Sequence, residues 1–164
     1  MTAPTHSDSL ALVERLAAQL RQRQWMLATA ESCTGGLIAA ACTDLSGSSN
    51  WFERGFVSYS NTAKNELLGV ELALIQRHGA VSEEVARAMA AGALAHSQAQ
   101  VAVAVTGVAG PTGGTPDKPV GLVWFGYALP GQRVTEKMHF PGDRAAVRAA
   151  TVQHALSRLL ELMR

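Results

Sequence analysis

The chain has 164 residues, 48% of them hydrophobic and 16% charged, with a formal net charge of +1. That length and apolar content suit one domain with a sizeable core, and the near-neutral charge gives no general attraction to nucleic acid or to an anionic membrane surface. No run approaches the roughly 18 apolar residues of a membrane span, and the opening "MTAPTHSDS" lacks the charged-then-apolar order of a leader, so the expected location is cytoplasmic.

The first predicted helix runs from about Ser9 to Arg23, with Leu10, Val13, Ala17 and Leu20 on one face. "QWMLATA" reads as a buried strand ending near Ala30. Residues 34–45 have helical spacing and stop at the loop "SGSSN", 46–50. "RGFVSYS", 54–60, alternates as a strand, and the polar "NTAKNE" opens helical turns that reach Gly69. "ELALIQRHG" ends on Gly79 as a C-cap. Ser82 with Glu83 and Glu84 starts a helix whose apolar face is Val85, Ala88, Met89, Gly92 and Ala93. "QVAVAVT", 100–106, is a β-branched and alanine run suited to a central strand. The Gly/Pro-rich loop 107–119 leads into "VGLVWFGYAL" and "QRVTEKMHF", a hairpin turning at Pro130-Gly131. Asp143 caps a last helix carrying the stripe Val152, Leu156, Leu159, Leu160 and Met163. Helices and strands alternate first and a hairpin follows. The expected fold is therefore α/β, a three-layer α/β/α sandwich with a mixed β-sheet, in a single domain over 1–164.

Cys33 and Cys42 are nine residues apart, and on a helix that spacing separates them by about 13 Å, too far for a disulfide. The five histidines show no ligand spacing, so neither a metal nor a cofactor is expected. Two glycine-rich segments end apolar strands, where open α/β sheets bind ligands: Ser32-Cys33-Thr34-Gly35-Gly36, and Thr106-Gly107-Val108-Ala109-Gly110-Pro111. Neither fits a nucleotide fingerprint, but glycines admit a ligand close to the backbone, and a helix starting at Thr34 would aim free N–H groups at an oxyanion.

Ser32 precedes a helix, where serine is more often an N-cap than a nucleophile. As a nucleophile it needs a base, and Lys64, beside Tyr59 in "SYSNTAKNE", is the candidate. At an ordinary pKa only about one lysine in 2500 is neutral at pH 7, so that role requires burial or a neighbouring cation; the alternative is a plain surface lysine. Cys33 is the rival nucleophile, with a buried, inert thiol as its alternative. Arg144 and Arg148, four apart near a helix start, suit a phosphate or else form a solvated face. Lys118 is another possible anion contact, and Arg54 is expected to pair with Glu53 or Glu31.

Taken together, "TAESCTGG", "GSSNWFERGFVSYSNTAK", "GAVSEEVA", "TGVAGPTGGTPDKPVG" and "FPGDRAAVR" resemble the CinA C-terminal domain family, in order and over nearly the whole chain. Single-domain members include the bacterial nicotinamide-nucleotide amidases. The resemblance implies hydrolysis of the carboxamide of nicotinamide mononucleotide to nicotinate mononucleotide and ammonia, within pyridine nucleotide recycling. It implies Ser32 as nucleophile, Lys64 as its basic partner and Thr106 near the oxyanion; Tyr59 is the tyrosine of the same block as Lys64 and is read from its position as a proton relay or orienting group. Substrate contacts are expected from Cys33, Thr34, Gly35, Gly36, Asn61 and Gly107, with the phosphate at Gly47, Ser48, Ser49, Arg144 or Arg148. Longer members carry a further N-terminal domain, which this chain is expected to lack. The expected partners are a small nucleotide substrate and a second copy in a homo-oligomer, as a dimer, with no nucleic acid and no membrane. The competing reading is a non-catalytic nucleotide-binding or protein-interaction module of the competence or damage-inducible type.

Overall fold

The computed structural model describes residues 6–164, with the side chain of His6 excepted. In chain order they form α1 (His6–Arg23), β1 (Leu27–Glu31), α2 (Leu37–Thr43), a 3-10 turn (Ser48–Asn50), β2 (Phe52–Val57), α3 (Asn61–Leu68), α4 (Leu72–His78), α5 (Glu83–Ala95), β3 (Val101–Gly107), β4 (Leu122–Leu129), β5 (Gln132–His139) and α6 (Arg144–Leu162). The sheet order is β2-β1-β3-β4-β5, with β2, β1 and β3 parallel and the β4–β5 hairpin antiparallel. The three-layer sandwich with a mixed sheet is thus what the chain forms, and the hairpin turns at Pro130-Gly131 as read. Among the described residues no helix is long and apolar enough to cross a membrane.

The alternation of β3 explains the two layers. Val101, Val103 and Val105 face α1, α2 and α6, while Ala102 and Ala104 face α3, α4 and α5. Small residues on the second face let α5 press close to the sheet. A Cβ on Gly126 of β4 would stand 2.3 Å from the Ala86 carbonyl oxygen, and one on Gly92 of α5 would stand 2.0 Å from that of Leu68, so both positions need glycine. This close docking fixes the α4–α5 connection over the end of β3, where the site lies.

Caps read from sequence are in place: Ser82 Oγ accepts from Val85 N at 3.3 Å, and Asp143 Oδ1 from Ala146 N at 2.9 Å. Several boundaries differ: α1 starts at His6 rather than near Ser9 and β1 at Leu27 rather than Gln24, and two further differences bear on the site. The strand expected over 54–60 is Phe52–Val57: the ladder with β1 ends on the bond from Ser58 N to the Glu31 carbonyl at 2.8 Å, and Ser60 already caps α3, its Oγ accepting from Ala63 N at 3.0 Å. The helix expected over 34–45 starts only at Leu37, because Gly35 (φ +58°) and Gly36 (φ +106°) are left-handed and keep the chain in a turn.

On the α6 face, Tyr127, 1% exposed, donates its hydroxyl to Glu136 Oε1 at 3.0 Å. His154 Nε2 lies 2.7 Å from the same oxygen. Burial pushes the Tyr127 phenol well above its ordinary range, so it remains a donor. Glu136→Ala is expected to strand that hydroxyl and destabilise the fold by about 2 kcal/mol, a fall in Tm of about 6 °C read by thermal unfolding.

Candidate active site

A cavity of about 380 Å³ opens at the C-terminal ends of β1 and β3. Ser32 follows β1 directly and is 8% exposed, with its side chain at the cavity wall. It is not the cap of α2, since that position belongs to Gly36. The cap's work is done by Glu31, 1% exposed. Its carboxylate accepts from Ile38 N at 2.9 Å, Ala39 N at 3.1 Å and Thr34 Oγ1 at 2.5 Å. The first N–H groups of α2 are therefore occupied from within the fold. The expectation that a helix beginning at Thr34 aims them at a substrate oxyanion is corrected on this point. Thr34, Gly35 and Gly36 build the turn and do not line the cavity. A lone carboxylate ending an otherwise apolar strand was the signal for Glu31's part.

Lys64 is not a surface lysine. Position 64 falls on the inner face of α3 with Leu68, four residues on, and the side chain is 1% exposed. Its Nζ lies 3.0 Å from Ser32 Oγ and 3.2 Å from each of the Ser58 and Tyr59 carbonyl oxygens. Desolvation lowers its pKa from the ordinary 10.5. The three neighbours decide what a neutral amine does there. It has two N–H bonds and one lone pair, and the two carbonyls can only accept. The lone pair is left for the one neighbour with a hydrogen to give, Ser32 Oγ. This geometry can deprotonate a serine hydroxyl.

Cys33 also borders the cavity but is 6% exposed, and burial pushes its thiol up to about 11, so it is protonated at neutral pH and a poor nucleophile. Both Cys33 and Cys42 are free and buried, as expected.

The remaining walls sort the expected residues. Asn61 and Gly107 line the cavity, as does Thr106, but Thr106 Oγ1 already donates its one hydrogen to the Ala80 carbonyl at 2.8 Å. That hydroxyl pins the α4–α5 connection to β3 and is not free to donate to an oxyanion. Tyr59 is 60% exposed, and its hydroxyl accepts from Arg144 Nη2 at 3.1 Å. Only its backbone carbonyl reaches Lys64, which corrects the expected phenol relay. Arg144, whose Nη1 also donates to the Gly110 carbonyl at 2.8 Å, spans the mouth. Arg148 does not reach the cavity; it donates to the carbonyls of Cys33 and Thr34. Gly47, Ser48 and Ser49 lie at the opposite end of the strands. α2 runs back against β1, and the chain re-enters the sheet where Leu27 N donates to Trp51 O, so this loop cannot meet a ligand held at Ser32. Lys118 is committed to the His78 carbonyl at 2.6 Å, and Arg54 pairs with Glu53 rather than Glu31. The apolar wall, formed by Ala80, Val81, Val108 and Ala109, had no signal in the residue pattern.

The CinA C-terminal domain family matches residues 9–163. A nicotinamide-nucleotide amidohydrolase of Enterobacter agglomerans is 53% identical over 146 residues, covering 88% of this chain and 89% of that protein. One from Escherichia coli K12 is 48% identical over 156 residues and 94% of each chain. The crystal structure of the competence/damage inducible protein CihA from Agrobacterium tumefaciens superposes with a TM-score of 0.93 at 43% identity, over 100% of this chain and 99% of that one.

Proposed function

Because this chain belongs to the CinA C-terminal domain family, we propose that it is a nicotinamide-nucleotide amidohydrolase in which Ser32 is the nucleophile and Lys64 its base. The observation that carries this reading is the buried Lys64 Nζ held 3.0 Å from Ser32 Oγ, with carbonyl acceptors at its other donors. Ser32 Oγ adds to the carboxamide carbon as its proton passes to Lys64 Nζ. The Lys64 ammonium then protonates the amide nitrogen, the C–N bond breaks, and ammonia leaves an acyl-serine. Lys64, neutral again, takes a proton from water; the hydroxide adds to the ester carbon, the C–Oγ bond breaks, and Ser32 recovers its proton. The sum is carboxamide plus water to carboxylic acid plus ammonia, which at neutral pH are carboxylate and ammonium. Backbone N–H groups bordering the cavity around Cys33 and at Ala109 and Gly110 serve the oxyanion, that of Val108 being taken by the Leu122 carbonyl at 2.9 Å.

The cavity, about 380 Å³, suits a mononucleotide. The wall of Ala80, Val81, Val108 and Ala109 takes the pyridine ring, and Arg144 at the mouth takes the phosphate. In the cell the reaction recycles pyridine nucleotide in its acid form. The test is ammonia and nicotinate mononucleotide released by the purified chain from nicotinamide mononucleotide, with the riboside and free nicotinamide alongside. Ammonia from the nucleotide supports the reading. A rise in Tm with nucleotide and no ammonia identifies a binding module instead. Arg144→Ala is expected to raise KM for the nucleotide about 10- to 100-fold with little change in kcat, and to erase the preference over the riboside, as loss of one charged hydrogen bond implies.

A further inference from the structure

We infer that Arg148 is a positioning residue for the Ser32 turn, a brace that sets the nucleophile and does not bind the phosphate. The inference rests on the amidase reading above.

Ser32 sits in a turn with little internal hydrogen bonding. Gly35 N donates to Ser32 O at 3.1 Å and Leu37 N to Thr34 O at 3.1 Å. In a continuous helix the Cys33 carbonyl would accept from Leu37 N, but that N–H goes to Thr34, so Cys33 O is left without its helical partner. Arg148 supplies one. Its Nε donates to Cys33 O at 3.1 Å and its Nη2 to Thr34 O at 3.2 Å, a planar fork across two consecutive carbonyls. The guanidinium lies against Gly35, where even a Cβ would stand 3.5 Å from Nη2.

The turn is thereby held from two sides. Glu31 grips Thr34 Oγ1 and the start of α2, while Arg148 grips the carbonyls of Cys33 and Thr34. The brace is anchored on a 19-residue helix whose neighbouring Val147 is fully buried. Fixing the peptides on either side of Cys33 fixes the backbone from which Ser32 Oγ is aimed at Lys64. Arg148 lies outside the Ser32 cavity and borders the adjoining one, of about 650 Å³, on the far side of Arg144. It cannot touch a substrate at Ser32, but a small cation can reach its place through that second cavity.

The experiment measures kcat and KM for the nucleotide and the riboside in Arg148→Ala and Arg148→Lys, with guanidinium chloride added at concentrations that leave the wild type folded. In Arg148→Ala, kcat is expected to fall about 10²-fold with KM within about two-fold of wild type, the size of effect a misaligned reacting group produces. The preference for nucleotide over riboside should be unchanged, and guanidinium should restore part of the rate. Arg148→Lys, which keeps the charge but not the fork, should lose less than the alanine variant and serves if that variant fails to fold. A raised KM with loss of nucleotide preference would assign Arg148 to the phosphate and overturn the inference. So would turnover like the wild type, or an equal loss in both variants with no response to guanidinium, which marks general damage to packing. No ammonia from the wild type would remove the amidase reading itself; a competent wild type beside unaffected Arg148 variants would remove this inference alone.

Discussion

Lys64→Arg is expected to lower ammonia release about 10³-fold or more while the protein stays folded. Arginine keeps the positive charge and the donors but holds its proton at any working pH, so it has no lone pair to offer Ser32. Lys64→Met, with similar volume and no titratable group, is expected to be equally inactive. The pH profile of the wild type carries the same information. Desolvation lowers the pKa of Lys64 from 10.5, so the neutral form proposed to accept the serine proton gains population as pH rises through that lowered value. kcat/KM should therefore rise with pH along a limb below the ordinary lysine range. Stability follows with the same sign. Between the folded and unfolded pKa values the unfolded chain binds the extra proton, so stability increases with pH across that window, and Lys64→Met should lose this dependence. Near-normal turnover by Lys64→Arg would remove the proton-acceptor role.

The layers of the fold were legible because their signals are local. The alternation in "QVAVAVT" separates a valine face from an alanine face, Pro130-Gly131 marks the hairpin, and Ser82 and Asp143 sit where their caps are found. The start of α2 was misplaced because the helical spacing of 34–45 takes no account of two left-handed glycines. Within the site, Ser32 and Lys64 were legible through the family resemblance. The burial of Lys64 was hinted at only by its four-residue spacing from Leu68 on α3. Arg144 and Arg148 show what spacing leaves open. One turn apart on α6, the first meets the mouth of the cavity and the second meets the backbone behind it, a division set by where β1 delivers the Ser32 turn. The "SGSS" loop failed for a topological reason: a parallel crossover must carry the chain back to the far end of the sheet before β2 can begin.

Ser32→Ala is expected to lower turnover about 10⁴-fold or more, because no neighbouring group can replace the hydroxyl. Cys33 is adjacent in sequence, yet its thiol is buried and raised to about 11, so it supplies no thiolate at neutral pH. The substitution removes one oxygen and leaves Lys64 Nζ with the Ser58 and Tyr59 carbonyls and Arg144 with the Gly110 carbonyl, so the fold and the phosphate contact proposed for Arg144 should persist. The decisive measurement is ammonia release from nicotinamide mononucleotide by Ser32→Ala beside the wild type, with the nucleotide-induced rise in Tm recorded for both. Steady ammonia from the wild type, none above background from the variant and a matching rise in Tm in each is the expected result. A Ser32→Ala variant that releases ammonia within tenfold of the wild-type rate would contradict the assignment of Ser32 as nucleophile.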